Sequence, residues 1–439
     1  MAGGLGPPRV NTKGPDPYLP GHGNIGYRTT HYDLDLHYRT GPGRLSGRAT
    51  ISATADRVLA EFSLDLGMFQ IDKVFVEGAA ARFSHRAGKL RIRPTTPISA
   101  GAPFTVTVRY GGVPRPIPSR WGDLGWERID DGALVASQPT GAPSWFPCND
   151  HPADKATYRI ALTTKSRLTV VANGTLVSRR TTGNTTTWVY EQPAPMPSYL
   201  ATVQIGRYRL VDLVAGAIPQ RAAVPPRLLT AATHDLGRQP EMMALFERLF
   251  GPYPFSDYAV VVVDETLDVP VEAHGLSIFG ANHIDGRRGF ERLVAHELAH
   301  QWFGNSLTVA DWRHIWLNEG FAKYAEWLWS ELSGGEPAQA HAARSRALLA
   351  ALPQDLRVAD PGVRRMFDDR VYQRGALTLH ALRAAIGDTS FFALLREWAR
   401  VHQHGTVTTE EFTALAQRHS ARPLGELFAA WLYEPALPA

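Results

Sequence analysis

The first half of the chain alternates between polar and apolar residues. HYDLDLHY (31–38) sets the period, and it recurs in RATISATA (48–55), KVFVEG (73–78), FTVTVRY (104–110), ATYRIALTT (156–164), LTVVANG (168–174) and TTTWVYEQ (185–192). A period of two, rich in β-branched residues and broken by Gly, Pro and Asn, predicts antiparallel strands with one buried face. The pattern changes after Val211. Residues 227–255 read as a helix ending in a Gly-Pro turn, AVVVVDE (259–265) as a short buried strand, and VEAHGLSIFG (271–280) as a second one. Helical spacing then dominates over 290–303, 317–333, 338–351, 372–385, 389–401 and 409–419. The expected architecture is multidomain α+β: an arm over 1–25, a β domain over 26–212 and a mainly helical domain over 213–439.

Composition sharpens this picture in three ways. A chain of 439 residues exceeds one ordinary core. No apolar run approaches the ~20 residues of a membrane-spanning helix, and the first residues carry no basic-then-apolar leader, so a cytoplasmic protein is expected. The formal charge of +4 is spread without a Lys/Arg block, which argues against a nucleic-acid face. The single cysteine, Cys148, cannot form an internal disulfide and reads as structural.

The chemistry concentrates in FERLVAHELAHQWFGN. His296 and His300 stand four apart, so on a helix both imidazoles share one face and reach one metal. A hydrolytic zinc site needs three protein ligands and an open position. The third is expected from WLNEGFAKYAEWL, where Glu319 lies 19 positions after His300, far enough for a second helix to return alongside the first. Glu297, beside the first ligand, is placed to take a proton from the attacking water and give it to the leaving amine. Glu326, seven residues after Glu319, shares its face and suits an acceptor for a ligand imidazole N–H. A lone H-E-x-x-H arises by chance on polar helices; the returning glutamate is what lifts this one above chance. His402 and His404 have no third ligand nearby and read as a surface loop.

These segments resemble the gluzincin zinc aminopeptidases of the alanyl-aminopeptidase and leukotriene-hydrolase type. FPCNDHPADKATY, PSYLATVQIG, FGPYPFSDY, VYQRGA and WLYEPALP agree with that family in order along the chain. The resemblance implies an N-terminal β saddle domain followed by a thermolysin-like catalytic domain, one zinc ion, and peptide substrates with a free amino terminus. It implies that Tyr372, in VYQRGA, hydrogen-bonds the oxyanion, and that Glu272 binds the substrate ammonium with Ala273 on the same substrate-pairing edge.

The sequence departs from the family at several points. Around Glu272 the family motif is replaced by Val269, Pro270, Val271 and Ala273, and Pro270 removes a backbone donor. Thr140 stands where the family places a Gln or Glu amine anchor; Gln138 is the nearby substitute. His274, beside this segment, is a candidate cleft residue. The chain also stops where the family's catalytic domain closes. A helical domain that walls off the cleft is therefore expected to be missing, leaving a more open site or one covered by a second copy. The leading reading is an aminopeptidase; the alternatives are an endopeptidase or other zinc hydrolase of epoxide type, and a non-catalytic scaffold.

Overall fold

The computed structural model describes residues 15–130, 132–214 and 218–438. It divides into two compact units. One comprises residues 12–234 with 255–287; the other comprises 235–254 with 288–439. Residues 1–14 of the expected arm lie outside the described part. From Asp16 onward the chain is tied down. Asp16 caps a turn through Tyr18 N and Leu19 N, and Asn24 N donates to Asn149 Oδ1 at 2.6 Å.

The β unit is built on an eight-stranded sheet. In spatial order its strands are Thr175–Thr182, Thr185–Met196, Ala156–Lys165, Tyr27–Arg39, Arg44–Ala55, Pro103–Gly112, Gln70–Val76 and Ala79–Ala80. Every pairing is antiparallel except Tyr27–Arg39 with Ala156–Lys165, which is parallel. The period of two does what it predicts. Tyr32, Leu34, Leu36 and Tyr38 are buried, while their neighbours face outward. One apolar cluster joins this sheet to a three-stranded sheet through Phe62, Leu64, Leu90 and Ile92. It also reaches a five-stranded sheet through Trp126, Val135, Val170 and Ile205.

A second five-stranded sheet follows in the order Arg209–Val214, Gln220–Val224, Tyr258–Val263, Leu276–Gly280 and Val271–Ala273. The segment 271–280, expected as one strand, is a hairpin. Gly275 turns it at φ +71°, a conformation that glycine takes without Cβ strain. Val271–Ala273 thereby becomes an edge strand.

Residues 227–255 also divide. Helix α1 (Leu229–Asp235) stops and α2 (Gln239–Phe250) restarts, with a proline in its first turn, where the missing N–H costs nothing. In the helical unit the remaining elements are α3 (Glu291–Ala299), α4 (Trp316–Leu332), α5 (Ala338–Ala350), α6 (Asp369–Val401), α7 (Thr409–Arg418) and the short α8 (Gly425–Phe428). The two helices expected over 372–401 form α6, broken where Gly387 leaves helical geometry at φ 77°.

The segment 148–155 is a buried polar strut in the β unit. Asp150 accepts from Ser198 Oγ at 2.8 Å and pairs with His22 at 3.0 Å. Burial pushes the Cys148 thiol up, which keeps it protonated and inert. Asp154 accepts from Thr29 N at 3.0 Å, beside a bulge in the strand Tyr27–Arg39. Burial raises the Asp154 carboxyl to about 7, against hydrogen bonds that lower it. The unfolded value is near 4, so this group favours the folded state fully below about pH 4, and that contribution disappears as pH rises through about 7. Asp154→Asn should remove this slope. Between pH 4 and pH 7 the parent should lose on the order of 4 kcal/mol of unfolding free energy relative to the variant. Parallel urea titrations of the two proteins across that range check it.

Candidate metal centre

Helix α3 buries Val294, Ala295, Leu298 and Ala299, and this apolar frame turns His296, Glu297 and His300 to a common side. His300 closes the helix. Its Nδ1 faces the Phe303 carbonyl at 3.0 Å, because the chain folds back at Gly304. Gly304 has φ +123°, and a Cβ there would lie 3.1 Å from His300 Nδ1, so both torsion and space require glycine. Helix α4 then brings Glu319 in on its first turn, where the helix N-terminus favours a carboxylate.

The three expected ligands converge. Their donor atoms lie within 4.8 Å of one another, and theirs is the sole such cluster among the described residues. Glu319 Oε2 is 3.7 Å from His296 Nε2 and 3.4 Å from His300 Nε2. Glu326 Oε1 lies 2.8 Å from His296 Nδ1. Both imidazoles are thus oriented through Nδ1, which turns Nε2 of each toward Glu319. His402 lies against Trp398, with ring centroids 4.3 Å apart and planes tilted by 55°, and joins no metal cluster among the described residues.

The electrostatics of the centre favour a cation. Burial opposes ionisation of Glu319, but the two imidazoles hold its carboxyl well below the usual range. Glu326 is depressed against burial by His296, Lys323 and Arg292. Burial also opposes charge on His296, yet Glu319 and Glu326 raise it above its ordinary value. Two imidazole nitrogens and one carboxylate oxygen around one buried point match a zinc site with a coordination position left for water. The donor set therefore fits zinc.

Glu297 is buried next to His296 on α3, at 3% exposure. Tyr372 lies on the first turns of α6, its ring parallel to His296 at 15° and 6.2 Å between centroids. In the other unit, Glu272 sits on the edge strand Val271–Ala273. Its Oε1 accepts from Gln138 Nε2 at 2.6 Å. Ala273 and Thr140 are both buried. His274 is fully buried against Phe255 at 4.1 Å, with its carbonyl accepting from Asn173 Nδ2.

Several residues that hold this arrangement escape a sequence reading. Helices α4 and α6 touch backbone to backbone: a Cβ on Gly320 would lie 2.8 Å from Gly375 Cα, and one on Gly375 equally close to Gly320 Cα. These glycines directly follow Glu319 in one helix and lie three residues past Tyr372 in the other. Arg374, 4% exposed, donates to the carbonyls of Ala430, Trp431, Glu434, Pro435 and Ala436. It anchors the closing WLYEPALP segment beneath the helix that carries Tyr372. The fixed order VYQRGA and NEGFA was the available signal.

The fold and this centre resemble those of metallopeptidases of the H-E-x-x-H class. Residues 28–200 match the peptidase M1 N-terminal domain and residues 234–431 match the peptidase family M1 domain. The chain belongs to peptidase family M1. The crystal structure of the M1 zinc metallopeptidase from Deinococcus radiodurans superposes with a TM-score of 0.88 at 30% identity, covering 97% of this chain and 98% of that one. A mutant of that protein has been solved with a Tyr-Ser-Ala substrate. Aminopeptidase M1 of Arabidopsis thaliana is 26% identical over 70% of this chain, and human endoplasmic reticulum aminopeptidase 1 is 26% identical over 87%. The chain spans 37% and 44% of the lengths of those two relatives. Among the described residues, no helix is long and apolar enough to cross a membrane.

The Gly320–Gly375 contact yields a sharp expectation. Gly375→Ala should force α4 and α6 apart, costing about 1–3 kcal/mol of stability by overpacking, and should lower zinc affinity because Glu319 moves with α4. Urea unfolding together with zinc titration checks both effects. Unchanged stability and affinity would contradict the contact.

Proposed function

We propose that the protein is a zinc aminopeptidase that removes the N-terminal residue of peptides with a free amino group. The observation that carries this reading is the convergence of His296, His300 and Glu319 beside Glu297. His296, His300 and Glu319 hold the zinc. Bound zinc supplies Lewis acidity, polarising the scissile carbonyl and acidifying the attacking water. Glu297 accepts the water's proton and delivers it to the amine nitrogen as the C–N bond breaks. The Tyr372 hydroxyl donates to the developing oxyanion, an interaction that gains strength only as charge appears. Glu326 keeps His296 in the tautomer whose Nε2 faces the metal.

The exopeptidase character rests on Glu272. Its carboxylate takes the substrate ammonium, and the 2.6 Å bond from Gln138 supports an orienting role for that amide, with Thr140 contributing no charge. Ala273 extends the edge strand to which the substrate backbone adds. Residues 26–212 serve as the β saddle domain and 213–439 as the catalytic domain in this reading. In this reading the protein works in the cytoplasm, with its cleft either open or covered by a second copy.

Glu297→Gln should lower the rate on aminoacyl-nitroanilides by about 10²–10⁴-fold while zinc content stays at the parent level. Phenanthroline should abolish the parent activity. N-acetylated peptides should resist cleavage, and Glu272→Gln should narrow the gap between free and acetylated substrates by raising KM for the free amine. Equal rates on free and acetylated peptides would eliminate the aminopeptidase reading and favour an endopeptidase.

A further inference from the structure

One helical turn outward from the metal ligands, the helical unit carries a cationic wall that takes no direct part in bond cleavage. Arg292 stands four residues before His296 on α3, and Lys323 four residues after Glu319 on α4. That spacing keeps each on the face of its ligand. Both reach one oxygen: Glu326 Oε2 is 3.4 Å from Arg292 Nη1 and 2.9 Å from Lys323 Nζ, while Oε1 faces His296. These three side chains line a cavity of about 550 Å³. Trp327, Gln373 beside Tyr372, and Arg344 from α5 also line it. Arg344 pairs with Glu336, but both side chains are more than half exposed, where such a pair is weak and easily exchanged. Arg238 and Glu291 also line the cavity and pair with each other at 3.1 Å, so the other three cations face the single remaining lining carboxylate, that of Glu326, which leaves the space positive.

We propose that this cavity is a subsite for a substrate carboxylate lying downstream of the scissile bond, with Lys323, Arg292 and Arg344 as its cations. The inference rests on the aminopeptidase reading, in which a single residue precedes the scissile bond. That residue carries an ammonium, which this wall repels, so the substrate portion drawn here is the part beyond the cut. One helical turn is ~5.4 Å and an extended peptide advances ~3.3–3.6 Å per residue, so the second or third downstream residue reaches the cations. The carboxylate is supplied by an acidic side chain or by the C-terminus of a short peptide.

The test is a set of peptides with one common N-terminal residue and scissile bond. Glu, Gln or Lys is placed at each of the three downstream positions, each peptide made as free acid and as C-terminal amide, and kcat/KM is measured. The expected result is about a tenfold preference, carried in KM, either for Glu at one position or for the free acid. The first outcome assigns a side-chain carboxylate, the second the C-terminus. The preference should shrink to within about twofold in Lys323→Met and in Arg292→Gln, and should reverse toward lysine-containing peptides in Arg344→Glu, an exposed change that leaves the melting temperature in place. Cleavage with no preference, a preference untouched by all three variants, or an acidic preference confined to the N-terminal residue itself would overturn the subsite alone. Failure to cleave any free-amine peptide would overturn the aminopeptidase reading as well.

Discussion

Glu319 is a buried carboxylate, and the centre of the helical unit is organised around making that burial tolerable. Taking an ion of this size out of water costs several kcal/mol even after relaxation. The cost is offset by two imidazoles at 3.4 and 3.7 Å and by the N-terminus of α4. The imidazoles need orienting in turn, so Glu326 and the Phe303 carbonyl fix their outer nitrogens. Glu326 is itself buried and draws in Lys323 and Arg292. Each charge calls in the next, and the sequence ends at the cationic wall of the cavity. A divalent cation among the three donor atoms is the component that this chain of compensations favours.

Geometry of this kind depends on how closely the helices approach. Glu319 and Tyr372 sit on different helices, and their separation is set where Gly320 meets Gly375 without side chains between them. Arg374 secures the other side of α6 by gathering the carbonyls of the closing segment. The sequence around Tyr372 is thus used almost completely. Tyr372 faces His296, Gln373 lines the cavity, Arg374 holds the closing segment and Gly375 admits the neighbouring helix.

How much of this was legible in the sequence depended on range. Period-two alternation identified the long strands because each has one buried and one wet face. Spacings within a helix identified His296, His300 and Glu326 because the helical repeat fixes which residues share a face. The hairpin at Gly275 was hidden, since a three-residue edge strand and its five-residue partner are each too short to show a separate alternation on either side of the turn. The break between α1 and α2 was hidden because apolar spacing continues across it. The Gly320–Gly375 contact, the Arg374 anchor and the 2.6 Å bond between Gln138 and Glu272 link distant positions, and no local pattern encodes such pairs. The resemblance of VYQRGA and the Glu272 segment to a known family supplied what periodicity lacked.

The most direct test of the account is zinc stoichiometry in Glu319→Ala beside the parent, measured by elemental analysis after exhaustive dialysis. The account predicts one zinc per parent chain and a variant that retains its fold but binds zinc at least ~100-fold more weakly. Stoichiometric zinc in Glu319→Ala, held as tightly as in the parent, would contradict it.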